Sequence, residues 1–171
     1  MKPILAFGEI MGRISMPGFR RISQSLPGTV DIEFAGAEAN VLTSLSLLGA
    51  PSSFVTAVPD NELGQACLAS LRARGVGLDH VVRRPDSRLG LYFVEKGANQ
   101  RSGSVVYDRS GSAIATTPSA TYPWSRILQG AGWLHLTGIT TGLSSIAAEA
   151  NLEAARTACE RGIPVSCDLN F

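Results

Sequence analysis

The chain has 171 residues, a formal net charge of +1, and 44% hydrophobic against 17% charged residues. That length supports one core, with roughly 70% of the unfolded surface buried on folding. The near-neutral charge excludes an electrostatic footprint for nucleic acid, and no apolar run reaches the ~20 residues of a membrane helix.

The N-terminus opens like a secretion signal, with Lys2 before the apolar Ile4–Phe7, but Glu9 and Arg13 interrupt it too early. Residues 3–7 therefore read as a first buried parallel strand. Glu9 and Arg13 follow in what reads as a loop, either as a surface ion pair or as polar groups at the carboxyl end of a strand, where open α/β sheets bind ligands. Gly18 to Gly28 carries scattered polar residues with glycines and prolines and is an exposed connection.

Asp31, Glu33 and Ala35 alternate with Ile32 and Phe34, the period of a strand. The pattern breaks at Gly36 and becomes helical, with Val41, Leu45 and Leu48 on one face and Leu42 beside them. Gly36 has no Cβ to keep a ligand away from the backbone, and the helix that follows starts with unpartnered N–H groups. The same spacing also suits a plain strand-to-helix turn.

Gly49-Ala50-Pro51 stops that helix, and Ser53–Val58 forms a second buried strand. Asp60 and Asn61 suit a helix cap, with Leu63, Cys67, Leu68 and Leu71 facing inward. Strand, helix, strand, helix at these lengths predicts a right-handed parallel α/β layout. Residues 81–112 break the rhythm. Residues 88–95 and 102–109 alternate around Gly97-Ala98-Asn99, which predicts an antiparallel hairpin. Tyr107 and Arg109, two apart, share a face. Such an inserted sheet is a candidate lid, and a face carrying Tyr92, Tyr107 and Arg109 suits an anionic, polyhydroxylated ligand because the guanidinium fork donates two parallel hydrogen bonds. An exposed face with ordinary cross-strand pairs fits equally.

The α/β pattern resumes with a short helix in 123–129, a strand at Trp133–Leu136, a long helix capped by Ser144 or Ser145 and running to Arg161, and a last strand at 164–169. On the long helix Ile146, Ala150, Ala154 and Ala158 lie close to one stripe. Cys67, Cys159 and Cys167 each sit in an apolar segment and read as reduced core thiols of a cytoplasmic protein. His80 and His135 lack metal-ligand spacing.

Five segments stand in an order that carries a resemblance: Gly36-Ala37-Glu38-Ala39-Asn40, 59–64 (Pro-Asp-Asn-Glu-Leu-Gly), 90–95 (Gly-Leu-Tyr-Phe-Val-Glu), Tyr107-Asp108-Arg109, and 134–139 (Leu-His-Leu-Thr-Gly-Ile). In this order and spacing the chain resembles the ribokinase-like (PfkB-type) carbohydrate kinases, and within them the 2-keto-3-deoxygluconate kinases. The resemblance implies a doubly wound, Rossmann-like α/β fold with a small antiparallel β lid, the lid strands drawn from about 14–35 and 80–112. It covers residues 1–171 as the N-terminal part of one such domain, so the ATP-binding and catalytic part is expected to lie beyond them.

Roles follow by resemblance, position by position. Gly36 matches the glycine whose backbone lies against the sugar, and Asn40 the asparagine opening the helix beneath it. Tyr92, Tyr107 and Arg109 match lid residues that contact a keto acid, and Ile139 matches an apolar contact after a strand. Glu9 stands where many relatives have an aspartate touching sugar hydroxyls. Ala35 replaces a glycine common in the motif. The implied reaction moves the ATP γ-phosphate to a terminal sugar hydroxyl with Mg²⁺. The Gly-Ala-Gly-Asp helix start that supplies the base is not in the sequence, nor is a Walker or dinucleotide glycine motif. Expected partners are a small sugar acid and other copies of the chain, through lid strands or an exposed sheet edge. A fructokinase- or ribokinase-type kinase and a non-catalytic sugar-binding module remain alternatives.

Overall fold

A computed structural model describes residues 1–170. Its main sheet has five strands: β1 (Ile4–Phe7), β4 (Ser52–Pro59), β5 (Gly77–Arg84), β8 (Trp133–Thr137) and β9 (Val165–Asp168). Their spatial order is β5-β4-β1-β8-β9, and every pairing is parallel. The chain thus winds outward from β1 in one direction and then returns to wind in the other, the doubly wound α/β fold anticipated from the strand–helix rhythm.

Helices cover both faces. On one, α2 (Ala37–Leu47) and α3 (Glu62–Arg72) pack through Ala39, Leu42, Cys67, Leu68 and Leu71 on Ala6, Phe54 and Val58. Asn61 caps α3, its side chain accepting from Gly64 N at 3.0 Å. On the other face, α7 (Ser145–Glu160) lays Ala150, Ala154 and Ala158 on Leu134 and Leu136. Ser144 caps that helix by accepting from Ala147 N. Alanines at this spacing let the helix approach the sheet closely, and the remaining volume is filled from the short α4 (Ala113–Thr116) and α5 (Trp124–Ile127). Phe7 at the centre meets Tyr122 and Trp124 edge-on at 5.1 and 5.2 Å.

A second sheet of four strands stands apart from the first, in the order β3 (Asp31–Ala35), β2 (Met11–Ser15), β6 (Leu91–Glu95), β7 (Ser104–Asp108). The β6–β7 hairpin is antiparallel as predicted, but β2 runs parallel to β6, so the lid is a mixed sheet. Arg13 stands inside β2, where the sequence suggested a loop. Residues 80–84, grouped in sequence with the lid, belong to β5 of the main sheet, because their Val81 and Val82 serve its two apolar faces. The connection after β2 includes a one-turn helix, α1 (Ile22–Ser25), and another, α6 (Gly138–Thr141), follows β8.

Three other expectations are corrected. The stripe Val41-Leu45-Leu48 is not the buried face of α2; Glu38, Ala39 and Leu42 are, because the helix lies over β1 and β4. Val41 and Leu45 turn instead to β8 and β9, lining an open groove of about 280 Å³ with Ile4, Trp133, His135 and Ser166. Leu63, expected to face inward, is exposed at the first turn of its helix, as is Ile146, grouped in sequence with the stripe of Ala150, Ala154 and Ala158 that the structure buries. Of the cysteines only Cys67 is a core thiol, while Cys159 and Cys167 are exposed.

Candidate functional site

The carboxyl ends of β1, β4, β8 and β9 open on the side where the second sheet sits, and the crevice lies where β1 and β8 part. Gly36 is the first element of the site. It is the N-cap of α2, directly after β3, and Asn40 N–H donates to its carbonyl at 2.8 Å. A Cβ on Gly36 would lie 2.0 Å from the carbonyl oxygen of Glu9. Only glycine therefore lets the β3–α2 turn press on the end of β1. Asn40 itself is exposed in the first turns of α2.

Glu9 is only 3% exposed. Its Oε2 accepts from Arg109 Nε at 2.9 Å, and Ser112 Oγ donates to Oε1. Arg109 Nη2 lies 2.7 Å from the same Oε2, so both nitrogens on that edge of the guanidinium meet one carboxylate oxygen. Burial pushes the Glu9 carboxyl above its ordinary value, opposed by the Ser112 hydrogen bond and the Arg109 charge, with Glu38 adding a like charge. Of the two readings left open for Glu9 and Arg13, the surface pair between them is not the one formed, because Arg13 faces across the lid and pairs with Glu33 while Glu9 pairs with Arg109.

The lid presents one continuous row. Glu33 on β3 stands opposite Arg13 on β2, Arg13 opposite Tyr92 on β6, and Tyr92 opposite Tyr107 on β7. The tyrosine rings lie 5.8 Å apart, and Arg109 Cζ sits 5.5 Å from the centre of the Tyr107 ring. Burial raises the Tyr92 phenol, which stays a protonated donor at neutral pH. The row and Arg109 share a face, and Arg109 ties that face to Glu9 and so to the crevice. Tyr92, Tyr107, Arg109, Glu9 and Gly36 are thereby linked by direct contacts. Ile139 lies on the far wall, in α6, half-buried.

Two groups escaped the sequence reading. Ser112 is a buried hydroxyl that holds Glu9, and nothing in its neighbourhood of small residues distinguishes it. Glu38 is a buried carboxylate held by Thr137 and Thr140. Its only sequence signal is an acidic residue in a helical first turn, which is ordinarily a solvated complement to the helix dipole.

The structure thus sets a four-stranded second sheet beyond the carboxyl edge of a five-stranded parallel sheet, over the reversal of strand order between β1 and β8. The pfkB family carbohydrate kinase profile matches residues 1–171, and the chain belongs to that family. It is 33% identical over 168 residues to the 2-dehydro-3-deoxygalactonokinase of Haloferax volcanii, covering 98% of this chain and 52% of that protein. It is 31% identical to the 2-dehydro-3-deoxygluconokinase of Bacillus subtilis over 82% of this chain and 43% of that one. The crystal structure of a 2-dehydro-3-deoxygluconokinase from Thermotoga maritima superposes with a TM-score of 0.95 at 42% identity, over 100% of this chain and 52% of that chain. A fructokinase with bound ATP from Xylella fastidiosa superposes with a TM-score of 0.83 at 26% identity, over 99% of this chain and 52% of that chain. The chain spans about half the length of these relatives or less.

Proposed function

We propose that this chain is the sugar-binding part of an ATP-dependent kinase for 2-keto-3-deoxygluconate or a closely similar sugar acid. The observation that carries the reading is the Arg109 guanidinium, held by Glu9 through Nε and Nη2 and set on the same lid face as Tyr92 and Tyr107. A sugar carboxylate can accept from the N–H groups that Glu9 does not take, while the two phenols serve hydroxyls and the keto oxygen. Gly36 offers backbone to the other side of the sugar, Asn40 a side-chain amide, and Ile139 an apolar wall. Glu9 holds Arg109 in place and, in this reading, reaches the sugar only through it.

The protein's part in such a transfer is to orient the acceptor hydroxyl and shut out water, which a closing lid does. Among the described residues, no group of three or more His, Cys, Asp or Glu side chains could hold a metal ion. The reading assigns Mg²⁺, ATP and the base to residues outside 1–170. No helix among the described residues is long and apolar enough to cross a membrane, and a cytoplasmic enzyme is proposed.

One observation favours a second reading. Glu9 already neutralises Arg109, as suits a neutral ketose in a fructokinase-type enzyme. The intact gene product, supplied with ATP and Mg²⁺, separates the two. Phosphorylation of 2-keto-3-deoxygluconate with kcat/KM at least about tenfold above fructose and ribose supports the first reading. The reverse order supports the second, and turnover of none of them leaves a binding module.

The outer lid face is apolar. Ile14, Ile32, Phe93 and Val106 form one cross-strand row, with Ile32 54% and Val106 55% exposed. Pairing of two copies through this face is part of the same proposal.

A further inference from the structure

Glu38 has no place in the roles given above, yet it occupies the centre of the fold. It is 1% exposed and stands in the first turn of α2, two residues after Gly36. Its Oε1 accepts from Thr137 Oγ1 at 2.5 Å and from Thr140 Oγ1 at 2.7 Å. Thr137 ends β8 and Thr140 lies in α6, so the two donors bracket Gly138 and Ile139. A Cβ on Gly8, just past β1, would lie 2.0 Å from the Glu38 carboxyl carbon. The carboxylate therefore fills the space between the ends of β1 and β8, the neighbours at which the winding of the sheet reverses. In open α/β sheets ligands bind in the crevice above that reversal.

Stability alone gives little reason for a charge here. A buried carboxylate is costly to desolvate, two hydroxyls compensate less than a cation would, and the like charge of Glu9 acts on the same region. What the arrangement does achieve is geometric. One oxygen atom joins the turn that presents Gly36 to the turn that presents Ile139.

We propose that Glu38 is a positioning residue for the acceptor sugar: through Oε1 it fixes the Gly36 turn and the Thr137–Thr140 turn to each other, making one rigid floor under the crevice. It is covered by protein and acts through Gly36 and Ile139, so the inference rests on the sugar-binding reading of this half. Glutamine keeps an oxygen that both threonines can reach. Aspartate keeps the charge but is one methylene too short.

The test is steady-state kinetics of the intact gene product on 2-keto-3-deoxygluconate, with sugar and ATP varied separately. Thr137→Val/Thr140→Val and Glu38→Asp are expected to raise the sugar KM about tenfold or more while leaving the ATP KM within about twofold. Glu38→Gln is expected to stay within about threefold of wild type on both. A purely structural role would lower melting temperature and the active fraction without this split. A sugar KM within about twofold of wild type in both Thr137→Val/Thr140→Val and Glu38→Asp overturns the proposal, as does an equal loss in Glu38→Gln. Should the double variant not fold, Thr140→Val and Glu38→Gln carry the same comparison. A wild type that turns over only a neutral ketose sinks the sugar-acid reading alone, and the variants are then scored on that ketose. A wild type without kinase activity sinks both.

Discussion

Arg109 on the lid and Glu9 at the end of β1, 100 residues apart in sequence, meet in a salt bridge whose Nη2–Oε2 distance is 2.7 Å. With Glu9 3% and Arg109 20% exposed, the pair is shielded from solvent. It ties the lid to the crevice, beside the apolar packing of Phe34 on the main sheet.

Removing one partner of such a pair leaves a buried charge without compensation. Arg109→Ala is therefore expected to destabilise the protein by about 3–5 kcal/mol, and Glu9→Gln/Arg109→Ala to recover more than half of that. Denaturant unfolding of the three proteins checks it. A loss below about 1 kcal/mol in the single variant would show that the pair is solvated in solution.

The same burial gives a pH signature. Glu9 has its folded-state value raised above the ordinary 4.5, chiefly by desolvation. Between 4.5 and that higher value the folded protein holds a proton that the unfolded chain has lost, so this group's contribution is fully present below 4.5 and is lost as pH rises through the folded value. Stability curves of wild type and Glu9→Gln should diverge across that window, the variant gaining relative to wild type as pH rises. Parallel curves would contradict the assignment of the shift to Glu9.

Thiol reactivity tests the packing of α3 against the sheet. Burial pushes the Cys67 thiol up to about 12, whereas Cys159 and Cys167 are exposed. In the native 171-residue chain two thiols should react readily with an alkylating reagent, and the third only after denaturation. Peptide mapping that finds Cys67 modified at the rate of the others would contradict the α3 placement.

The apolar outer row of the lid predicts association between copies. Ile32→Lys/Val106→Lys places two charges on that row and should shift the intact protein toward monomer by light scattering, with kcat changed less than about threefold. An unchanged assembly would move the interface elsewhere.

Much of the fold was legible because its signals are local. Alternation around Gly97-Ala98-Asn99 placed the β6–β7 hairpin, and Asn61 and Ser144 marked helix starts that the structure keeps. Arg109 and Tyr107 were placed on one face by a spacing of two. Longer-range contacts were not legible. The parallel register of β2 on β6 depends on how the lid folds back, and no residue in either strand encodes it. The stripe Val41-Leu45-Leu48 is periodic, yet Val41 and Leu45 face the open groove beside β8 and β9 and Leu48 is exposed, because helical spacing cannot say which apolar stripe meets the sheet. The buried partners of Glu9 and Glu38 were not legible either, since Arg109, Ser112, Thr137 and Thr140 lie about a hundred residues away.

The central claim is that the lid cation Arg109 receives a carboxylate in a crevice floored by Gly36. Isothermal titration of the intact protein with 2-keto-3-deoxygluconate and with fructose, in wild type and Arg109→Ala, tests it most directly. The account predicts that wild type prefers the acid by about tenfold or more and that Arg109→Ala erases the preference. Equal affinity for both sugars in wild type, or a preference that survives Arg109→Ala, would contradict it.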